Sequence, residues 1–140
     1  IMPSLVGSEM CIRDSSIMNL ISALSFHQAT TQIPQYLSVA LPRGVRLPKV
    51  LVMPVKAWFV TPSLLLDGYE AHQGDYGAFN VTTLERTLVD CFKYRNKIGL
   101  DIFIEALELT RGKWNAWKLQ KEADRLRVLS AITPYLKMAQ

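Results

Sequence analysis

The chain has 140 residues, of which 49% are hydrophobic and 20% are charged, and this composition predicts one folded domain with a substantial core. Its formal net charge is +4 and its sequence pI is about 9.2, which fits an acidic partner such as nucleic acid as well as an ordinary basic surface. No apolar stretch approaches the roughly 18 residues that a membrane span needs, and no signal-peptide pattern is evident, so we expect a cytoplasmic protein.

The first segment of the chain, IMPSLVGSEMCIRDS, follows neither a helical nor a strand period. The string resembles the translation of a sequencing adapter, of the kind that recurs at the ends of fragmentary gene sequences. We therefore expect residues 1–15 to be non-native and the domain to occupy residues 16–140.

The next segment carries apolar residues at helical spacing, which predicts an amphipathic helix from Ser16 to His27 with Asn19 and Ser22 facing solvent. Segments rich in β-branched and aromatic residues follow, and they predict a small antiparallel sheet. The expected strands cover residues 36–41, 50–53, 55–61, 69–73 and 76–81, and the last two flank a hairpin turn.

A helical pattern begins after the last of these strands. The run Thr82-Thr83-Leu84-Glu85 matches a capping box, and it predicts a helix that is capped by the first threonine and stopped by Gly99. A second helix follows, Asn115 is a suitable cap for a third, and Pro134 predicts a kink or a restart with Thr133 as a new cap. Because strands and helices fall in separate runs, we predict an α+β fold with an N-terminal helix, a small antiparallel β-sheet and a helical C-terminal half.

Motifs for catalysis are scarce. The sequence has no glycine-rich phosphate loop, its two cysteines are far apart, and His27 and His72 lack partners at metal-ligand spacing. Asp90 adjoins the apolar face of its helix, but Arg86 stands four residues earlier and favours an ion pair over a catalytic role. The acids of the strand region lie near turns, so we expect no metal, no cofactor and no enzymatic activity.

Basic residues fall into three groups, and each is a candidate for nucleic-acid or partner contact. They form a stretch without acids before residue 57, the end of the helix at residues 83–97, and a third group that contains Trp114 and Trp117. Basic residues interleaved with aromatics suit phosphate contact and stacking, although core anchoring is the favoured interpretation for the two tryptophans. The candidate contact residues are Arg43, Arg46, Arg86, Lys93, Tyr94, Arg95, Arg111, Lys113, Lys118 and Lys121, with Asp90 assigned a structural role.

Several separated blocks resemble the AbiEi family of antitoxins. These are SALSFH at residues 22–27, TTQIP at 30–34, VALPRG at 39–44 and TTLERTLVDCFKYRNKIG at 82–99. The resemblance extends over about residues 16–136, in the order that the family shows. It covers the region that follows the family's winged helix-turn-helix, which we expect to be missing from this chain.

The resemblance implies an antitoxin of a type IV toxin–antitoxin system that is linked to abortive phage infection. In the full-length protein the winged helix would bind DNA at the promoter of its own operon. The C-terminal domain would oppose a nucleotidyltransferase-like toxin without forming a stable complex. The hypothesis is therefore an antitoxin-type transcriptional regulator domain that acts by binding; the alternative is a small nuclease-like enzyme of phage defence.

Overall fold

The structure is a computed structural model that describes residues 17–42, 54–65, 67–74 and 77–139. Within these residues, five strands form one sheet in the order β3-β2-β1-β5-β4. The strands are β1 (Ile17–Met18), β2 (Leu37–Pro42), β3 (Val55–Val60), β4 (Tyr69–Gly74) and β5 (Gly77–Thr82).

One helix lies among the strands and the other helices follow the sheet, which is an α+β arrangement. Helix α1 (Leu20–Phe26) lies between β1 and β2, and a 3₁₀ turn (Pro62–Leu65) follows β3. The C-terminal half is helical, as predicted, with α2 (Leu84–Lys93), α3 (Arg95–Ile98), α4 (Leu100–Leu109), α5 (Ala116–Arg125) and α6 (Leu129–Ala139). None of the helices in the described ranges combines the length and apolarity that a membrane span requires.

The sheet is mixed, so the prediction of an antiparallel sheet was wrong in part. The hairpin β4–β5 and the pair β1–β2 are antiparallel, whereas β2 pairs with β3 and β1 pairs with β5 in parallel. β1 and β5 are distant in sequence, whereas residues 43–54 separate β2 from β3, which is about the length that a parallel connection requires. Residues 50–53, which were predicted as a strand, lie outside the described residues.

The N-terminal helix is shorter than predicted. Ile17 and Met18 form β1 and pair with β2. The helix begins only at Leu20, whose backbone has a positive φ of 47° at the boundary between the strand and the helix. Asn19 and Ser22 are buried instead of facing solvent. The reason is that Ser22 Oγ accepts a hydrogen bond from the Ser38 backbone N–H at 2.9 Å, which ties α1 to β2.

Two hydrophobic clusters meet at α1. One lies on the sheet and contains Met18, Val39, Phe79 and Val81 together with Ala23 of α1. The other lies among the helices and contains Leu20 and Leu24 of α1 with Leu88, Phe92, Phe103, Leu119 and Ile132. Helix α1 therefore joins the sheet to the helical half.

Several helix signals had the predicted outcome and one did not. Asn115 caps α5 by accepting from the Lys118 N–H at 3.0 Å, and Gly99, at a φ of 104°, ends α3. Pro134, however, lies inside α6 without dividing it, and Thr133 is no cap, because its hydroxyl donates to Leu129 O at 2.6 Å.

Candidate nucleic-acid interface

The segment predicted as one helix over residues 83–97 consists of α2 and α3, which meet at Tyr94. The cap of α2 is Thr83, not Thr82: its Oγ accepts from the Arg86 N–H at 3.3 Å. Glu85 does not complete a capping box of its own, because its carboxylate accepts from the Asn115 N–H at 2.9 Å. This start directs Arg86 and Asp90, one turn apart, toward the interior.

Arg86 and Asp90 form the ion pair that their spacing predicts. Arg86 Nε lies 3.2 Å from Asp90 Oδ1, and both side chains are buried. Arg86 Nη1 also donates to Leu64 O at 2.8 Å and to Glu122 Oε2 at 3.4 Å. Because its guanidinium is enclosed and bonded on both sides, Arg86 is an internal residue and we do not retain it as a contact residue.

The ion pairs continue from Glu122 toward the surface. Glu122 Oε1 accepts from Arg125 Nη1 at 2.7 Å, and Arg125 also pairs with Asp67. We call these five residues, Asp90, Arg86, Glu122, Arg125 and Asp67, the ion-pair network. Burial raises the pKa of Asp90 above its ordinary value, and the charge and the hydrogen bond of Arg86 oppose this effect only in part.

A group of lysines and aromatic rings lies at the junction of β3 with α2 and α3. The Nζ atoms of Lys56 and Lys97 lie 4.8 and 5.5 Å from the centre of the Trp58 ring. The Trp58 and Tyr94 rings are 4.7 Å apart, and Lys93 Nζ lies 5.9 Å from the Tyr94 ring. We call these five residues the lysine–aromatic cluster.

The lysine–aromatic cluster concentrates positive charge. In the described ranges, Lys56, Lys93 and Lys97 form no ion pair with a carboxylate. Sequence reasoning proposed Lys93 and Tyr94 but did not connect them with Lys56 and Trp58, which come from a strand more than thirty residues earlier. Only the packing of β3 beside the end of α2 brings the three ammonium groups to one pair of rings.

Arg95 has a different environment from its lysine neighbours. Its Nη1 donates to Phe92 O at 2.9 Å, and its guanidinium lies 4.2 Å from the centre of the Phe92 ring. The side chain is half-buried and folded back on the core. Its charge contributes to the basic surface, but part of its hydrogen-bonding capacity is used within the chain.

A second basic surface lies at the start of α5 and in the loop before it. Arg111, Lys113, Lys118 and Lys121 are all exposed, and none of them forms an ion pair among the residues that the structure describes. Trp114 packs against the helical core, as expected, but Trp117 is 68% exposed. Core anchoring was therefore the wrong interpretation for Trp117, which points away because it is on the outer face of α5.

The remaining residues considered in the sequence are two arginines and the two histidines. Arg43 and Arg46 lie outside the described residues. His27 Nε2 lies 2.8 Å from Thr82 O, and His72 Nε2 lies 3.2 Å from Glu70 Oε2 without forming a hydrogen bond to it.

Three acidic residues lie close together in the ion-pair network, but each of them is paired with an arginine. The three carboxylates of the ion-pair network are all paired with Arg86 or Arg125. Across the described residues, no group of three or more His, Cys, Asp or Glu side chains is arranged to hold a metal ion. The arrangement links α2, α5 and the segment before β4, and it is suited to holding these elements together.

A small cavity lies between the sheet and α2. Its lining includes Asn19, Trp58, Asp90 and Tyr94, so it adjoins both the ion-pair network and the lysine–aromatic cluster. Asn19 Oδ1 and Trp58 Nε1 are buried, and neither has a hydrogen-bond partner among the described residues.

Comparison with known proteins does not extend these observations. No protein-family model matches the chain, and no curated protein matches it. The resemblance to the AbiEi family therefore remains a prediction from the sequence blocks.

Proposed function

We propose that this chain is the antitoxin domain of an antitoxin-type transcriptional regulator and that it acts by binding, with nucleic acid as one ligand, not by catalysis. The observation that carries the proposal is the lysine–aromatic cluster. Lys56, Lys93 and Lys97 come from different elements, lie over Trp58 and Tyr94, and form no direct ion pair among the described residues, although the charge of Lys93 acts on Asp90. Ammonium groups held close together in this way are suited to the phosphates of a polyanion.

The biological class in this proposal comes from the resemblance to the AbiEi family. On that basis the full-length regulator binds DNA at its own promoter and antagonises a nucleotidyltransferase-like toxin in the cytoplasm. The domain in this chain supplies sequence-independent contacts, because lysines that reach phosphates carry no base information. We expect its contacts to strengthen the binding of a separate DNA-reading domain.

The ion-pair network supports binding over the nuclease-like alternative. A metal-dependent nuclease needs carboxylate oxygens that are open to a metal ion and to water. Here Arg86 and Arg125 occupy the carboxylates of Asp90, Glu122 and Asp67. Such pairing favours a structural role for these acids.

The proposal is tested by rescue of cells that express the toxin encoded beside the full-length regulator. Lys93→Ala combined with Lys97→Ala removes two charges of the lysine–aromatic cluster. We expect this variant to accumulate normally and to rescue growth less well than the wild type. Lys137→Ala, an exposed lysine of α6, is the matched control and should rescue fully. Full rescue by the double variant would contradict the proposed role of the cluster.

A further inference from the structure

Trp117 is one of several large apolar residues of the helical half that are exposed to solvent. It lies in the second position of α5 and is 68% exposed, whereas Trp114, three residues earlier, packs against the helical core. Lys121, one turn later, holds its Nζ 5.3 Å from the centre of the Trp117 ring. Tryptophan is enriched at contact sites, because one part of its side chain is apolar and another can form a hydrogen bond.

The charge around Trp117 identifies the kind of partner. Residues 110–121 contain four cations and no acid, and the acid that reaches this segment from α2 is Glu85, whose carboxylate accepts from the Asn115 N–H. The four cations are exposed, and none of them forms an ion pair with a carboxylate among the described residues. Asp124 is the next acid on the Trp117 face of α5, one turn beyond Lys121. A protein partner could also cover an exposed tryptophan, but an uninterrupted run of cations favours a polyanion.

We propose that this surface binds unpaired nucleic acid, with one base stacked on the Trp117 indole and the adjacent phosphates on Lys118 and Lys121. The inference rests on the proposed function and narrows its ligand, because bases in a duplex are already stacked and cannot offer a face to a side chain. Base–aromatic stacking is tolerant of sequence, since every base has a π face. Lys121 can move from the ring to a phosphate without any change in the helix, because its side chain is exposed.

The experiment measures binding of the purified chain to a labelled oligothymidylate of about 20 nucleotides and to a duplex of the same length at low salt. Trp117→Leu keeps an apolar side chain but removes the aromatic face, and it should weaken single-strand binding by about 5- to 100-fold. Trp117→Phe should retain most of the affinity. Duplex binding should change less than about twofold in either variant, because phosphate contacts to lysines remain.

Two controls keep the result specific. Met138→Ala changes another highly exposed apolar side chain, on α6, and should leave both affinities unchanged. Asp124→Ala removes the acid on the same face of α5 and should strengthen single-strand binding. Circular dichroism should give the same spectrum for all variants, since Trp117 has little contact with the core.

The outcomes that overturn the inference are distinct from failure of the proposed function. If duplex and single strand bind equally and Trp117→Leu affects neither, the stacking role is wrong while the nucleic-acid proposal survives. If the wild type self-associates in sedimentation velocity and Trp117→Leu makes it monomeric without affecting nucleic acid, Trp117 belongs to a protein interface. If neither nucleic acid binds, both proposals fail together.

Discussion

Arg86 of α2 and Glu122 of α5 are 36 residues apart in sequence, and the Nη1 and Oε2 atoms of these side chains lie 3.4 Å apart in the interior. This contact joins the helix that follows the sheet to the helix that carries the second basic surface. Because Arg86 also holds Asp90 and Leu64 O, one side chain connects three separate segments. The stability of both proposed interfaces therefore depends on it.

Replacing Arg86 by alanine should destabilise the fold severely. The change leaves the carboxylates of Asp90 and Glu122 buried near each other without their shared cation, and loss of one partner in a buried ion pair costs about 3–5 kcal/mol. Urea denaturation measures the free energy of unfolding, with Lys118→Ala as the exposed control that should change it by less than about 0.5 kcal/mol. A loss below about 1 kcal/mol for Arg86→Ala would show that the network contributes little.

Asp90→Asn keeps the shape of the side chain and should lower the free energy of unfolding by about 1 kcal/mol or more, because the amide weakens the hydrogen bond that Asp90 Oδ1 accepts from Arg86 Nε. The difference in the free energy of unfolding between the wild type and Asp90→Asn should depend on pH. Burial raises the folded-state pKa of Asp90 above its ordinary value of 3.8, so the folded protein holds this proton more tightly than the unfolded chain.

The sign of that dependence follows from proton linkage. The stabilisation from a raised carboxyl pKa is complete below the ordinary value and is lost as pH rises through the folded-state pKa. The advantage of the wild type over Asp90→Asn should therefore be larger near pH 4 than near pH 7, in denaturation series at about these two pH values. An advantage that grows toward neutral pH would mean that Arg86 lowers this pKa more than burial raises it.

Gly68 and Gly112 form a matched pair for testing how closely the ion-pair network is packed. Both have positive φ, +82° and +80°, so alanine at either position costs about 1–2 kcal/mol in backbone strain. A Cβ at Gly68 would also lie 2.9 Å from Glu122 Oε2 and 3.1 Å from Arg86 Nη1, whereas a Cβ at Gly112 meets nothing within 4 Å. Gly68→Ala should therefore be the more destabilising change, by about 1–3 kcal/mol in thermal or urea denaturation. Equal losses would mean that the network moves aside freely.

Lys93 and Arg95 should differ in stability although both are basic residues at the same end of the predicted helix. Lys93→Ala should change the free energy of unfolding by less than about 0.5 kcal/mol. Arg95→Ala should cost about 1 kcal/mol, because it removes the hydrogen bond to Phe92 O and the packing on the Phe92 ring. Denaturation of the two variants under the same conditions measures the difference in their free energies of unfolding. Indistinguishable curves would indicate that the Arg95 contacts are too exposed to contribute to stability.

The elements that sequence reasoning predicted well are those that depend on neighbouring residues. The cap at Asn115, the stop at Gly99 and the antiparallel pairing of β4 with β5 each follow from local chemistry. The pair Arg86–Asp90 belongs to the same class, since residues four apart on a helix are neighbours.

The features that sequence reasoning missed depend on contacts between distant segments. The parallel pairings of β2 with β3 and of Met18 with Val81 make the sheet mixed, and the pairing of Ile17 and Met18 with β2 makes the start of the predicted helix a strand. The position of Trp58 beside Lys97 depends on how β3 meets α3, which no local pattern reports. Likewise, nothing local distinguishes Trp114 from Trp117 until the face of α5 that packs on the core is known.

The most direct test of the account is a titration of the purified chain against labelled duplex DNA in magnesium, with binding and cleavage read from the same samples. We predict binding without cleavage. If the three lysines of the lysine–aromatic cluster contact phosphates, affinity should fall by about 40-fold or more between about 50 and 200 mM salt. Lys93→Ala with Lys97→Ala should reduce the slope of log affinity against log salt by about two, and Lys137→Ala should not change it. Absence of binding at low salt, or cleavage that Asp90→Asn abolishes, would contradict the account.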